Sequence, residues 1–120
     1  MTAMVGIRRE DKSEWERRVP VTPQDAAALQ QRHNVQVIVQ PSEIRAYTDQ
    51  EFVEVGATLQ EDLSACSVVF GIKEMPKEVF RPDTAYVFFA HVIKGQPYNM
   101  AMLQRMLDLG CTLIDYERVV

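Results

Sequence analysis

Apolar residues in this chain fall into short, β-branched runs that alternate with helical patterns and turn residues. Residues 4–8 are a brief apolar stretch ending in charge, which predicts a first strand. Residues 9–19 are too heavily charged to be core. Thr22 then has the chemistry of a helix N-cap, and Pro23 that of a first helical residue, where a missing N–H costs nothing. Asp25 suits the positive end of the helix dipole, and the helix is expected to run to His33 and Asn34. Residues 35–39 read as a second strand, stopped by Pro41. Thr48 and Glu51 have capping-box spacing for a short helix through Val55, with Gly56 where a left-handed C-terminal residue belongs. Residues 62–65 read as one more helical turn. Residues 67–72 and 86–90 are continuous apolar runs, the pattern of strands covered on both faces. Pro97 opens a helix with Met100, Leu103, Met106 and Leu107 on one stripe, ended by Gly110. Residues 112–114 form a last strand.

Strands alternating with helices at these spacings predict an α/β fold, a three-layer arrangement around a mostly parallel, Rossmann-like sheet. None of the five glycines forms a Gly-x-Gly-x-x-Gly or Walker turn, so the sheet lacks a glycine-rich dinucleotide loop. A chain of 120 residues makes one domain. It ends on the apolar pair Val119–Val120 soon after a strand, and we expect the domain to be incomplete. Strand-like sequence by Met4 leaves no space for a leader peptide, and no apolar run is long enough to span a membrane.

Composition changes this picture little. Apolar residues make up 47% and charged residues 25%, as in ordinary globular domains. A net charge of −4 with both signs interspersed argues against nucleic acid and anionic membranes as partners. Cys66 and Cys111 have no metal-ligand spacing; each adjoins an apolar run and reads as a small buried thiol. No metal site is expected.

Ligands of open parallel sheets bind outside the carboxyl ends of the strands. Here every strand runs into titratable or cationic groups: Arg17 and Arg18 after the first, Arg45 after the second, Lys73 and Glu74 after the third. His91 and then Lys94 follow the fourth, and Asp115, Tyr116 and Glu117 come at the fifth. A lysine after a strand is ordinarily a solvated loop residue, and a histidine there is more often structural than catalytic. Arg17 and Arg18 beside Glu14 and Glu16 have the pattern of surface ion pairs worth under about 1 kcal/mol each. Trp15 reads equally well as a packing anchor for the loop, and the methionine stripe as core. Gathered on one edge, however, the groups suit acid–base chemistry on a small anionic substrate. Lysine and histidine leaving buried strands are partly desolvated, which lowers their pKa values. Arginine clamps carboxylates bidentately.

At these residues the chain resembles a known family. Ile7-Arg8-Arg9-Glu10-Asp11, Trp15-Glu16-Arg17-Arg18, Pro20 and Thr22-Pro23 are followed by Val39-Gln40-Pro41-Ser42 with Arg45-Ala46, then Leu59-Gln60-Glu61-Asp62-Leu63. Next come Gly71-Ile72-Lys73-Glu74, Phe88-Phe89-Ala90-His91 with Lys94, and Leu113-Ile114-Asp115-Tyr116-Glu117. In this order the strings resemble the saccharopine dehydrogenase / lysine–2-oxoglutarate reductase family, as in aminoadipic semialdehyde synthases. More broadly they are similar to the N-terminal domain shared with alanine dehydrogenases and transhydrogenases. The resemblance covers essentially the whole chain from Met4. It implies a substrate-side domain, with NAD or NADP bound mainly by a nucleotide-binding domain that follows beyond residue 120. The substrates implied are lysine, 2-oxoglutarate and saccharopine, and the resemblance is compatible with a homo-oligomer.

By the same resemblance Lys73 and His91 are the acid–base pair, and Arg18 is a ligand for a substrate carboxylate, with Arg17 beside it. Lys94 corresponds to a substrate-contacting position. Glu74 and Glu117 match acidic residues that adjust the charge of the site. The chain alone is expected to be inactive, and the implied location is the cytoplasm, or the mitochondrial matrix in an animal. Alanine dehydrogenases share the lysine and histidine motifs, so an alanine dehydrogenase-like or transhydrogenase-like domain is the near alternative. A non-catalytic amino-acid-binding module is the distant one. A receiver-like domain is disfavoured because the central strand 67–72 ends in Lys73 and not aspartate.

Overall fold

In the computed structural model, residues 3–73, 75–89 and 97–115 are described. The elements run β1 (Ala3–Ile7), α1 (Pro23–His33), β2 (Val35–Val39), α2 (Asp49–Glu54), β3 (Thr58–Leu59), β4 (Val68–Phe70), β5 (Ala85–Phe88), α3 (Pro97–Leu109) and β6 (Thr112–Asp115), with a 3₁₀ turn at Lys77–Val79. They form one six-stranded sheet in the order β3-β2-β1-β4-β5-β6. Every pairing is parallel, so the expected α/β class holds and the sheet is wholly, not mostly, parallel.

Alternate residues of each strand face opposite layers. On β2, Val37 and Val39 join a core with Ala26 of α1 and Phe52 of α2. Ile38 between them joins the other core, with Tyr86, Phe88 and Met102 and Met106 of α3. Helices therefore lie on both faces, giving the three-layer arrangement.

The helix ends follow local chemistry. The Thr22 side chain accepts from the Asp25 N–H, and Asn34 ends α1 in a left-handed conformation with its N–H on the Leu29 carbonyl. Thr48 and Glu51 form both bonds of the capping box. Gly56 and Gly110 follow α2 and α3 at φ of +93° and +73°, where a side chain would be strained.

Several expectations need correction. Residues 62–65 do not form a helical turn: the Asp62 carboxylate accepts from the Ser64 N–H at 2.9 Å, and this local bond replaces helical pairing. The two-residue β3 was not foreseen; it exists because Thr58 and Leu59 pair with Ile38 and Val39. Nor was the 3₁₀ turn. The strand expected over residues 67–72 shortens to Val68–Phe70, and that over 86–90 shifts to Ala85–Phe88. On α3, Met102 and Met106 meet the core one helical turn apart, while Leu107 is 66% exposed on the outer face. Cys66 is buried, whereas Cys111 is only partly so, its thiol donating to the Arg81 carbonyl at 2.9 Å. Trp15 is 81% exposed and anchors nothing in the core.

Candidate active site

The strand order reverses between β1 and β4, so their carboxyl ends open the crevice where doubly wound sheets bind ligands. Pairing there ends at Ile7 opposite Phe70, and the Arg8 N–H still donates to the Phe70 carbonyl at 3.0 Å. Beyond that point the β1 backbone leaves its neighbour. The Glu10 carboxylate takes over, accepting from the Ile72 N–H through Oε2 and from the Lys73 N–H through Oε1, each at 3.0 Å. Glu10 is only 8% exposed. Burial pushes its carboxyl above the ordinary value, against the pull of the two N–H groups and of Arg8.

Lys73 leaves β4 at this point and is half-buried. Its positive charge helps to hold the Glu16 carboxyl below the usual carboxylate range, although the main cause is the hydrogen bond from Arg18. Arg18 grips Glu16 bidentately, Nε to Oε2 at 2.8 Å and Nη2 to Oε1 at 2.6 Å. The Arg18 side chain is largely exposed, and Nη1 takes no part in the pair. A pair in the 9–19 segment was expected at the surface; Glu16 is instead buried, so its charge belongs to the crevice wall. The segment is held in place by the Ala46 N–H, which donates to the Arg17 carbonyl at 2.7 Å. The Arg17 side chain is exposed.

Arg45, at the end of β2, is consumed structurally. Its guanidinium bonds the Gln40 carbonyl at 2.9 Å and Asp49 at 3.3 Å and lies 5.5 Å from the Phe52 ring centroid. Burial lowers its pKa, with Asp49 and Glu10 opposing. A cleft of about 450 Å³ opens beside Glu10, bounded by Arg9, Pro41 to Ile44 and Asp49. A second cavity of about 270 Å³ reaches from Arg8 to Tyr86, and among the described residues none of the expected site residues lines either space.

The structure thus brings Lys73, Arg18 and Arg17 to one edge. Glu74, His91, Lys94 and Glu117 lie outside the described residues. Sequence reasoning passed over Glu10 and Glu16 as site groups. The available signal was position: both follow β1 directly on the edge where the sheet order switches. Among the described residues no group of three or more His, Cys, Asp or Glu is placed to hold a metal ion. At the β1/β4 switch the N–H groups of Ile72 and Lys73 are taken by the Glu10 carboxylate. No helix among the described residues is long and apolar enough to cross a membrane.

Comparison with known proteins places the chain in a family. Alpha-aminoadipic semialdehyde synthase of Bos taurus, a mitochondrial protein by its name, is 41% identical over 118 residues, covering 98% of this chain and 13% of that protein. The Arabidopsis thaliana protein of that name is 39% identical, covering 98% of this chain and 12% of its own length. The NAD(+), L-lysine-forming saccharopine dehydrogenase of Yarrowia lipolytica is 36% identical, with 98% of this chain and 33% of that enzyme covered. This chain therefore spans only a third or less of these relatives. Among solved structures, a transhydrogenase from Sinorhizobium meliloti superposes with a TM-score of 0.77 at 20% identity, over 97% of this chain and 35% of the other, which bears on the fold alone. The family model for the alanine dehydrogenase/PNT N-terminal domain matches residues 6–120, and the chain belongs to that family.

Proposed function

We propose that this chain is the substrate-binding and acid–base half of an oxidoreductase that interconverts lysine plus 2-oxoglutarate and saccharopine. The observation that carries the reading is the place of Lys73. It leaves the sheet at the crevice where β1 and β4 part, with one buried carboxylate on its main chain and its charge acting on a second, Glu16. The likeness to lysine-metabolising relatives supports the choice of substrates.

Condensation joins the lysine amine to the 2-oxo carbon and expels water. A proton must reach the carbinolamine oxygen, and another must leave the amine nitrogen. Lys73 and His91 serve as the two proton carriers. Arg18 offers Nη1 to a substrate carboxylate while Glu16 fixes the rest of its guanidinium. Arg17 and Lys94 add positive charge for the other carboxylates, and Glu74 and Glu117 limit the total. Bound to a nucleotide-binding domain that follows in the chain, NAD or NADP would supply the hydride chemistry. The 120-residue domain by itself is inactive.

The test compares the full-length protein with Lys73→Met and His91→Gln for NAD(P)H oxidation dependent on lysine and 2-oxoglutarate. Loss of about a hundredfold or more in kcat in both is expected for losing general acid–base help. Activity with pyruvate and ammonia instead would make it an alanine dehydrogenase-like enzyme and refute the substrate choice. Unchanged turnover in both variants would refute the catalytic assignment.

A further inference from the structure

We propose that Glu10 is a positioning residue that bends the chain at the exit of β4 and so aims Lys73 into the crevice. The proposal rests on the reading of Lys73 given above and goes beyond it by naming what holds that residue.

Consecutive N–H groups of an extended strand point to opposite sides. At Ile72 and Lys73 they converge on one carboxylate, each at 3.0 Å, and the backbone is bent at both residues. The neighbouring strands account for the bonds on either side. The Gly71 N–H donates to the Val87 carbonyl at 2.9 Å, and the Phe89 N–H to the Ile72 carbonyl at 2.9 Å. The β1 backbone supplies its last contact through Arg8 on the Phe70 carbonyl. Two donors would then be left at a site where Ile72 is 7% exposed. Buried donors without acceptors are costly, and a regular strand end has none to offer. Glu10 answers both with one side chain, from a position 62 and 63 residues away in sequence.

A carboxylate is needed in this place, not just a polar group. Glutamine would present one oxygen and one NH₂, so one of the two N–H groups would meet another donor. The charges around Glu10 are those of Arg8, Arg18 and Arg45 against Glu16, an excess of positive charge that offsets part, but not all, of what burial costs its anion. Glu10 thus fixes the Lys73 main chain, while Glu16, held by Arg18, feels the Lys73 charge.

The experiment uses the full-length protein with Glu10→Gln, Glu10→Asp, Lys73→Met and the double variant Glu10→Gln/Lys73→Met. Glu10→Gln is expected to lower kcat about 10- to 100-fold, the scale set by misplacing a proton-transfer group, while KM for lysine and 2-oxoglutarate changes by no more than about threefold. Glu10→Asp keeps both acceptors and should recover part of the loss. Because Glu10 acts through Lys73, adding Glu10→Gln to Lys73→Met should cost nothing further. Hydrogen exchange of the segment around Ile72 and Lys73 should speed up in Glu10→Gln, with the remainder of the sheet unchanged. Equal loss in both backgrounds would show a general structural effect and overturn the proposal, as would slow exchange and normal kcat in Glu10→Gln. Normal turnover in Lys73→Met would instead refute the underlying catalytic reading, and this proposal with it.

Discussion

Replacing Gly71 by alanine probes the packing immediately behind Lys73. A Cβ at that position would lie 2.7 Å from the Met75 Cε, 3.5 Å from the Glu10 Oε2 and 3.9 Å from the Phe88 Cβ. Carbon atoms pack best at about 3.5–4.0 Å, so the Met75 methyl must retreat by roughly 1 Å. Met75 is fully buried, but its end is the flexible part of an adaptable side chain. Overpacking costs about 1–3 kcal/mol, and this arrangement belongs at the low end. Loss of glycine freedom in the unfolded chain returns about 0.4–1 kcal/mol. The net expectation is a destabilisation of no more than about 0.6 kcal/mol, or at most roughly 0.3 M in urea midpoint for m near 2 kcal/mol/M. Met75→Ala alone should cost about 2–5 kcal/mol. In the double variant the new methyl enters space that Met75 vacates, so the combined loss should fall short of the sum by more than about 0.5 kcal/mol. Unfolding is best followed by far-UV circular dichroism, since Trp15 is 81% exposed and reports folding poorly. Strict additivity would refute the contact. The Glu10 oxygen at 3.5 Å is in ordinary van der Waals range, so Gly71→Ala should leave Lys73-dependent turnover near wild type.

Thr48→Ala removes the side-chain acceptor for the Glu51 N–H, one half of the α2 capping box, and leaves that N–H its bond to the Thr48 carbonyl; a loss of about 1 kcal/mol in urea unfolding is expected, and a change below about 0.3 kcal/mol would count against the box. Gly56→Ala puts a Cβ at φ +93°, 3.3 Å from the Gln30 side-chain nitrogen; about 1 kcal/mol should be lost, where an unstrained site would gain. Glu16 has its folded-state pKa lowered below the ordinary 4.5, chiefly by Arg18, so its contribution to stability is full above 4.5 and lost as pH falls through the folded value. Glu16→Gln should therefore flatten the acid side of the stability curve, measured as urea midpoints at neutral pH and below pH 4.5. Glu10 runs the other way: its pKa is raised, so its contribution is full below 4.5 and lost as pH rises through the folded value.

Most of the architecture was legible because it rests on local chemistry. The caps at Thr22, Thr48, Gly56 and Gly110 are hydrogen-bond and φ preferences expressed within a few residues. The uninterrupted apolar runs around β4 and β5 already implied a sheet covered on both faces. What escaped depends on distant partners. The strand β3 is two residues long and has no propensity signal; β2 makes it a strand. The asymmetric burial of α3, with Met106 inside and Leu107 outside, follows from how that helix seats against the sheet. At the site, Lys73 could be anticipated because a charged residue directly after a buried strand lands on the ligand-binding edge. Glu10 was harder to single out: its position after β1 was a signal, but an acidic residue in a run of charges reads as solvated until its two N–H donors are seen on the far side of the switch.

That difference bears on what kind of crevice this is. In dinucleotide-binding sheets a tight glycine turn after the first strand leads at once into a helix, whose N-terminal N–H groups face the phosphates. Here the chain after β1 runs on from Arg8 to Thr22 before α1 begins, and it sends Glu10 and Glu16 back to the edge of the sheet. The N–H donors at the switch are used by Glu10 and are not open to a ligand. A phosphate brought to this place would meet two carboxylates, whereas an amine would meet acceptors and a carboxylate could reach Arg18 from its exposed side. The same strand order that elsewhere serves a nucleotide here carries two buried carboxylates and the partly exposed Arg18 beside its switch point.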